Sequence, residues 1–326
     1  MDRSREKLLI KVAYLYYIEE KKQSEISKEL NINQATVSRL LQEAKEQEIV
    51  KIEIRNDEYT HLIKLERYIQ DKYGLKKVVL VNHSKSLNET EKCKAVAKEA
   101  ALHLRKIIQN NSIVGLASGK TLERIIGSIT VNRTTDAVFV PLVGAPGHSS
   151  SQYHVNAIVY EIAKQYDGKS IFINATAVQE DKDTRNKIVS SKYFEEINSY
   201  WKRLDISVVG IGEPFKQPLK YWNEQLTEED MEEMKLYNAA AECCGTFIDK
   251  AGRIIKNDQY ERTIGVDLSS LRETPHSIAV VQSKKKAAPL SAFLRTGFIN
   301  TLITDKETIL EVLRKDKDIN YELFKS

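Results

Sequence analysis

The sequence predicts an α/β protein in two parts: a helix-turn-helix domain over residues 1–56 and a larger domain over residues 57–326 built on a mostly parallel sheet. Three observations predict it. Apolar residues recur at helical spacing in three short blocks up to Ala44, with a tight turn between the second and third. Beyond Lys77, short apolar runs alternate with amphipathic stretches, as they do in a parallel sheet covered on both faces. With 326 residues, the chain also reaches the size at which one core usually gives way to two domains.

The first helix follows from Leu8, Leu9, Val12, Ala13, Leu15 and Tyr16, which form one stripe and end near Glu20. The second, Gln23 to Leu30, places Ile26 and Leu30 on one face, with Ser24 as a cap or with a frayed first turn. Asn31-Ile32-Asn33 interrupts the pattern. Asn33 then suits the N-cap of a third helix, because its side-chain oxygen can accept from the amides of Ala35 or Thr36. At about 100° per residue, Val37, Leu40, Leu41 and Ala44 turn inward while Ala35, Ser38, Arg39 and Gln42 turn outward. Val50, Ile52 and Ile54 alternate with charged residues and predict a strand that could serve as a wing.

In the second part, a helical segment from His61 to Tyr73 leads to the run Lys77 to Val81. Strands are expected at Ile113 to Ala117, Ala137 to Val143, Ile171 to Ile173, Ile206 to Ile211, Ile278 to Val281 and Thr301 to Ile303. Glu91 to Ile108, Val155 to Gln165 and Ala287 to Thr296 are expected helices between them. A Rossmann-like sheet of this kind binds ligands beyond the carboxyl ends of its strands.

Composition narrows the function. With 41% hydrophobic and 29% charged residues, the chain is neither low-complexity nor disordered. Its net charge of +4 arises from 50 basic and 46 acidic side chains and favours no partner by itself. Residues 1–55 carry 11 basic and 10 acidic side chains, so any nucleic-acid contact depends on where the charges lie. No run is long enough for a membrane helix, and the charged start lacks a signal-peptide core, which predicts a cytoplasmic protein. Cys93, Cys243 and Cys244 match no zinc spacing or disulfide framework, and neither a metal nor a cofactor is expected.

The outward face of the third helix is short, polar and free of acidic residues at its N-terminal end. Gln34, Gln42 and Arg39 are residue types that bond base edges in the major groove, Ala35 and Ser38 lie on the same face, and Asn33 and Thr36 can reach phosphates. The ordinary alternative is a solvated face on a helical bundle. Gly115 to Thr121 has three residues between its glycines where a P-loop has four, so a nucleotide is not expected there. A strand followed by Ser118-Gly119 and a helix opening at Lys120-Thr121 still offers amides and a hydroxyl at a positive helix end, which suits a phosphate monoester. Gly210-Ile211-Gly212-Glu213 ends another strand where the backbone approaches something closely, either a ligand or packing.

These motifs together resemble the SorC family of bacterial sugar-responsive transcription regulators. The resemblance rests on Leu9 to Tyr17, Glu25-Ile26-Ser27, Ala35 to Ala44, Val114 to Leu122, Val208 to Gly212, Gly245 to Asp249 and Leu294 to Asp305, in that family's order. It covers about residues 8–315. It implies an operator-binding domain followed by a sugar-phosphate-binding effector domain related to sugar-phosphate isomerases and deaminases, assembled as a dimer or, more in keeping with the family, a tetramer. By resemblance the effector residues are Ser118, Gly119, Lys120 and Thr121, with Gly144 and Gln152 near the sugar hydroxyls, Gly212 and Glu242 at the glycine-rich turns, and Lys286 as phosphate countercharge. As one of three consecutive lysines, Lys286 could equally be solvated. The sequence departs from the family at Lys22, where a capping Ser is usual, at Gln282-Ser283, where paired glycines are usual, and at Ala241-Glu242, where Gly-Asp is usual. The alternative function is a sugar-phosphate isomerase or deaminase, but no acidic cluster or His-Asp set stands out beside the glycine-rich loops to supply a paired acid and base.

Overall fold

The computed structural model describes residues 3–53, 57–84, 86–130, 134–145, 147, 154–214 and 225–325. The chain divides into two compact units, Met1–Thr60 and His61–Ser326.

The first unit contains α1 (Arg3–Tyr17), α2 (Gln23–Glu29) and α3 (Gln34–Glu46). Leu9, Val12, Ala13 and Leu15 of α1, Ile26 of α2, and Val37, Leu40, Leu41 and Ala44 of α3 form its core, so the three apolar stripes meet as the spacing predicts. Asn33 caps α3, its side chain accepting from the amide of Thr36 at 2.7 Å. Asn31, with φ 53°, makes the left-handed step between α2 and α3, and the hydroxyl of Ser27 closes the turn on the carbonyl of Ile32 at 2.6 Å. The start of α2 differs from both expectations for it. Lys22 is the N-cap residue, and its amide is held by the Glu25 carboxylate at 2.8 Å, so Ser24 is not needed as a cap. The expected wing strand is also corrected, since residues 51–53 are in no strand and Ile54 lies outside the described residues.

The fourth helix, α4 (Asp57–Tyr73), begins before the division and continues into the second unit. That unit then runs β1 (Lys77–Val81), α5 (Glu89–Ile107), β2 (Ile113–Leu116), α6 (Lys120–Gly127), β3 (Val138–Pro141), α7 (Val155–Tyr166) and β4 (Lys169–Ser170). After α8 (Lys182–Val189) and α9 (Lys192–Trp201) come β5 (Ile206–Val209), α10 (Glu228–Leu236), β6 (Ala239–Cys243), β7 (Thr246–Asp249) and α11 (Asp258–Arg262). The chain closes with β8 (His276–Val280), α12 (Ala287–Leu294), β9 (Thr301–Asp305), α13 (Lys306–Lys315) and α14 (Tyr321–Lys325).

Seven strands form one sheet in the order β1-β9-β8-β5-β2-β3-β4, and every neighbouring pair is parallel. The helices α5, α6 and α7 lie side by side in one layer, and α12, α13 and α14 in another. Every residue of β5 and β9 is buried, so neither strand shows the alternation of a sheet with one solvated face. The expected strand at Ile171 to Ile173 is displaced to Lys169–Ser170. Asn156 explains the stop: its side chain takes both the amide and the carbonyl of Ile173, at 3.1 and 3.0 Å, and so removes that residue from the ladder. Among the described residues no helix is long and apolar enough to cross a membrane.

Candidate DNA-reading face and effector site

In the first unit, Asn33, Gln34, Ala35, Ser38, Arg39 and Gln42 are all exposed, and Thr36 is half-buried. The face is therefore open from the cap through the first two turns of α3. Two of its members are already engaged. The Asn33 oxygen is spent on the cap, and the Gln42 amide donates to Glu46 at 3.1 Å. The other acidic residue near this face is held back, because Glu43 receives Arg5 at 2.8 and 3.2 Å and its carboxyl is lowered chiefly by that bond. Arg39 is thus the exposed cation that α3 presents in its first two turns.

In the second unit the site is built on the carboxyl ends of β2, β5 and β8, which are neighbours in the sheet. The turn after β2 reverses at Gly119, whose φ of 114° is a conformation that a residue with a Cβ rarely adopts. Gly119 is the N-cap of α6 and has no side chain with which to cap it. The helix terminus is thereby left to main-chain amides and to Thr121. A Cβ on Gly210, just past β5, would lie 3.8 Å from the Thr121 Cβ, so the two turns face each other.

Lys286 closes this arrangement from the segment after β8. Its ammonium donates to the carbonyl of Ile211 at 2.7 Å, with Gly210 and Gly212 on either side of the acceptor. The expected alternative, a solvated member of Lys284-Lys285-Lys286, does not describe it, since Lys284 and Lys285 are exposed and Lys286 is not. Burial lowers its pKa below the ordinary lysine value, while Glu242, Glu213 and Cys93 act to raise it and Arg124 to lower it. Two carboxylates therefore stand near the ammonium, and Glu213 was not among the residues that the sequence singled out for this site.

Glu242 comes from β6 and pairs with Gly212 through both main-chain groups, Gly212 donating at 2.7 Å and Glu242 at 3.1 Å. Its carboxylate accepts from the amide of Gly245 at 2.8 Å and lies over Gly212, where an added Cβ would meet Oε2 at 2.4 Å. The close approach expected at Gly212 is therefore packing against Glu242. The hairpin of β6 and β7 that carries Glu242 has no clear sequence signal: its strand Ala-Ala-Ala-Glu-Cys is poor in β-branched residues, and its turn is Cys244-Gly245 at φ 51° and 77°.

Gly144 lies beyond β3, one strand further along the sheet, and its amide donates to Ile264 at 2.9 Å. A Cβ there would come within 2.7 to 2.8 Å of the Thr176 and Ala177 main chain, so the glycine is required by packing. Gln152 and His148 lie outside the described residues, and His154 is the N-cap of α7, its ring accepting from Asn156 at 3.2 Å. Ser118 and Lys120 sit on either side of Gly119, half-buried and exposed respectively. A separate depression of about 380 Å³ lies at the opposite, amino ends of β2, β5 and β8, lined by residues including Gln109, Asn111, Asp205 and His276. None of the candidate effector residues lines it. Among the described residues no cluster of His, Cys, Asp and Glu has the geometry to hold a metal.

Comparison with known proteins gives a consistent picture. Residues 57–314 match the Sugar-bind family of sugar-binding domains. The chain is 30% identical to the sorbitol operon regulator of Klebsiella pneumoniae over 93% of its own length and 96% of that protein. It is 27% identical to the deoxyribonucleoside regulator of Bacillus subtilis strain 168, covering 94% of this chain and 97% of the relative. Among solved structures, a transcriptional regulator from Streptococcus pneumoniae TIGR4 superposes with a TM-score of 0.78 at 35% identity, covering 80% of this chain and all of that one. The full-length sorbitol operon regulator SorC from Klebsiella pneumoniae superposes with a TM-score of 0.70 at 30% identity, covering 93% and 96% of the two chains.

Proposed function

This chain belongs to the SorC family of sugar-binding transcriptional regulators, and from that premise we propose that a phosphorylated sugar or polyol, held at the carboxyl ends of β2, β5 and β8, sets its affinity for operator DNA. Transcriptional control of a sugar operon is the function it shares with its relatives. The observation that carries the phosphate is the meeting of two features: the start of α6 at Gly119, whose cap residue has no side chain, and a half-buried lysine, Lys286, bonded to the strand end that faces Thr121. A phosphate monoester supplies acceptors for the helix amides and countercharge for the lysine at once.

In this reading residues 1–56 bind double-stranded operator DNA through Asn33, Gln34, Ala35, Thr36, Ser38, Arg39 and Gln42. Residues 57–326 bind the effector through Ser118, Gly119, Lys120, Thr121, Glu242 and Lys286, with Gly144 and Gln152 at the sugar end and Gly212 shaping the Glu242 side. The protein acts in the cytoplasm and is a homo-oligomer, a tetramer by analogy with the family. One α3 reads only a few base pairs, and two-fold symmetry lets a pair read two half-sites. Light scattering at micromolar protein that returned only the monomer mass would sink the oligomer.

The effector is bound and not transformed. The carboxylates of Glu213 and Glu242 near Lys286 make the enzyme alternative worth testing directly, because a paired acid and base is what isomerisation would need. Incubating the protein with sorbitol 6-phosphate, fructose 6-phosphate and deoxyribose 5-phosphate and following each by NMR decides it. Unchanged sugar together with a shift in operator affinity supports a regulator, and turnover overturns it.

A further inference from the structure

Gln282 follows β8 into the site, between the strand end and Lys286, and its side chain is half-buried. The thiol of Cys93, on α5, donates to its Oε1. Burial raises the Cys93 pKa, so the sulfur keeps the proton that this bond requires. With the oxygen fixed on Cys93, the amide nitrogen is turned the other way, and among the described residues it has no acceptor. The backbone beneath it is also fixed: Ser283 holds a φ of 104°, its amide donates to Thr308 at 3.0 Å, and its carbonyl accepts from Lys286 at 2.8 Å. Lys286 follows four residues later with its own main-chain amide held by that Ser283 carbonyl, so Gln282 and Lys286 flank one fixed turn.

A neutral two-donor group next to a cation does not serve as that cation's partner. Its remaining N–H groups match an oxygen that arrives with a ligand. Resting on the effector reading above, we propose that Gln282, positioned by Cys93, bonds a hydroxyl or carbonyl oxygen on the effector's carbon chain and so sets which phosphorylated sugar is accepted. Lys286 and the start of α6 take the phosphate that all candidates share. Gln282 takes an oxygen that only some of them present at the right carbon. A site built to bond an oxygen rejects an analogue that lacks it, because its buried donors are then left unpaired.

Calorimetric titration of the full chain with inorganic phosphate, sorbitol 6-phosphate, fructose 6-phosphate and deoxyribose 5-phosphate tests this. Gln282→Met keeps the length and volume and removes both donors. It should raise Kd for the best-bound sugar phosphate about tenfold, the loss of one hydrogen bond, while inorganic phosphate stays within about twofold of wild type. Cys93→Ala should shift the same sugar phosphate in the same direction, and Cys93→Ser, which retains a donor, should restore it. A role in packing alone would move both kinds of ligand or neither. Unchanged sugar-phosphate affinities in Gln282→Met, or equal losses for sugar phosphate and inorganic phosphate, overturn the role of Gln282 and leave the effector reading standing. Wild-type protein that binds no sugar phosphate more tightly than inorganic phosphate overturns both.

Discussion

The ammonium of Lys286 is bonded to the main-chain carbonyl of Ile211 at 2.7 Å, and among the described residues no carboxylate is within ion-pair distance of it. One carbonyl satisfies one of three N–H donors and none of the charge. The cost of burying that charge shows in the lowered pKa, which Glu242 and Glu213 only partly offset. On the proposed reading, a phosphate would meet a cation that is already positioned and only partly compensated. Because the lysine also ties the start of the α12 segment to the end of β5, capture there would act on two elements of the sheet's carboxyl edge at once.

Replacing this lysine should therefore weaken phosphate preference with little loss of fold. Lys286→Met should lose most of the preference for a sugar phosphate over the free sugar in calorimetric titration. The pH dependence follows from the sign of the shift. The charged form binds the anion, so affinity is complete below the lowered pKa of the free protein and falls as the pH rises through it toward the ordinary lysine value of 10.5. Wild type should lose affinity on the alkaline side, and the variant should show no such limb. A variant that keeps full phosphate preference would remove Lys286 from the site.

For α3, Arg39→Ala should weaken operator binding by about 1 to 3 kcal/mol, the value of a bidentate base contact, and should relax preference at one base position. Asn33→Ala should act differently. Its cap on the Thr36 amide is lost, which costs about 1 kcal/mol of stability in the first unit whether or not DNA is present. Quantitative footprinting on operator variants, beside thermal unfolding, separates reading from capping. Arg39→Ala with undiminished affinity and unchanged base preference would count against its place on the reading face.

Away from both sites, His103 should give the protein a measurable acid sensitivity. Its ring is 7% exposed, its Nδ1 lies 3.3 Å from the Lys77 ammonium, and among the described residues its Nε2 has no partner. Burial first, then Lys77, His276 and Lys106, lowers its pKa from 6.5 to about 4. The unfolded chain takes up this proton as the pH falls through 6.5, but the folded protein does not until about 4, so stability is full above 6.5 and falls below it. The total is about 3 kcal/mol at 1.36 kcal/mol per unit. Urea unfolding of wild type and His103→Gln between these limits should differ in slope, and parallel curves would reject the assignment.

Local chemistry carried much of this architecture on the surface of the sequence. The Asn33 cap, the stripes of α1 and α3 and the buried runs of β2, β5 and β9 are legible because each depends on neighbours a few residues away. The pairing of β1 with β9 joins Lys77 to Thr301 and has no local signal, and neither does the bond between Lys286 and Ile211. The hairpin of β6 and β7 lacks a local signal for another reason. Its alanines are weak strand formers, held extended by pairing with β7 and by the bridge from Glu242 to Gly212. Glycine carried mixed information: Gly119 marks the helix start at the site, whereas Gly144 and Gly212 make room for main chain and for a carboxylate.

Effector binding and operator binding are tied to each other by thermodynamic linkage. If the Thr121 hydroxyl and the amides at the start of α6 hold the phosphate, a phosphorylated sugar should bind much more tightly than its parent, whose hydroxyl forms no charge-assisted bonds there. Thr121→Ala should lose part of that preference, about 1 kcal/mol for one hydroxyl contact. Linkage then requires that the effector change operator affinity by the same factor by which operator changes effector affinity, typically about 5 to 150-fold. Titrating wild type and Thr121→Ala with sorbitol 6-phosphate, deoxyribose 5-phosphate and their unphosphorylated parents, with and without operator DNA, measures both sides of that equality. Equal affinity for sugar and sugar phosphate would refute the phosphate cradle at α6. Phosphate preference with no change in operator affinity would keep the cradle and refute its control of DNA binding, because a ligand with equal affinity for two states shifts neither.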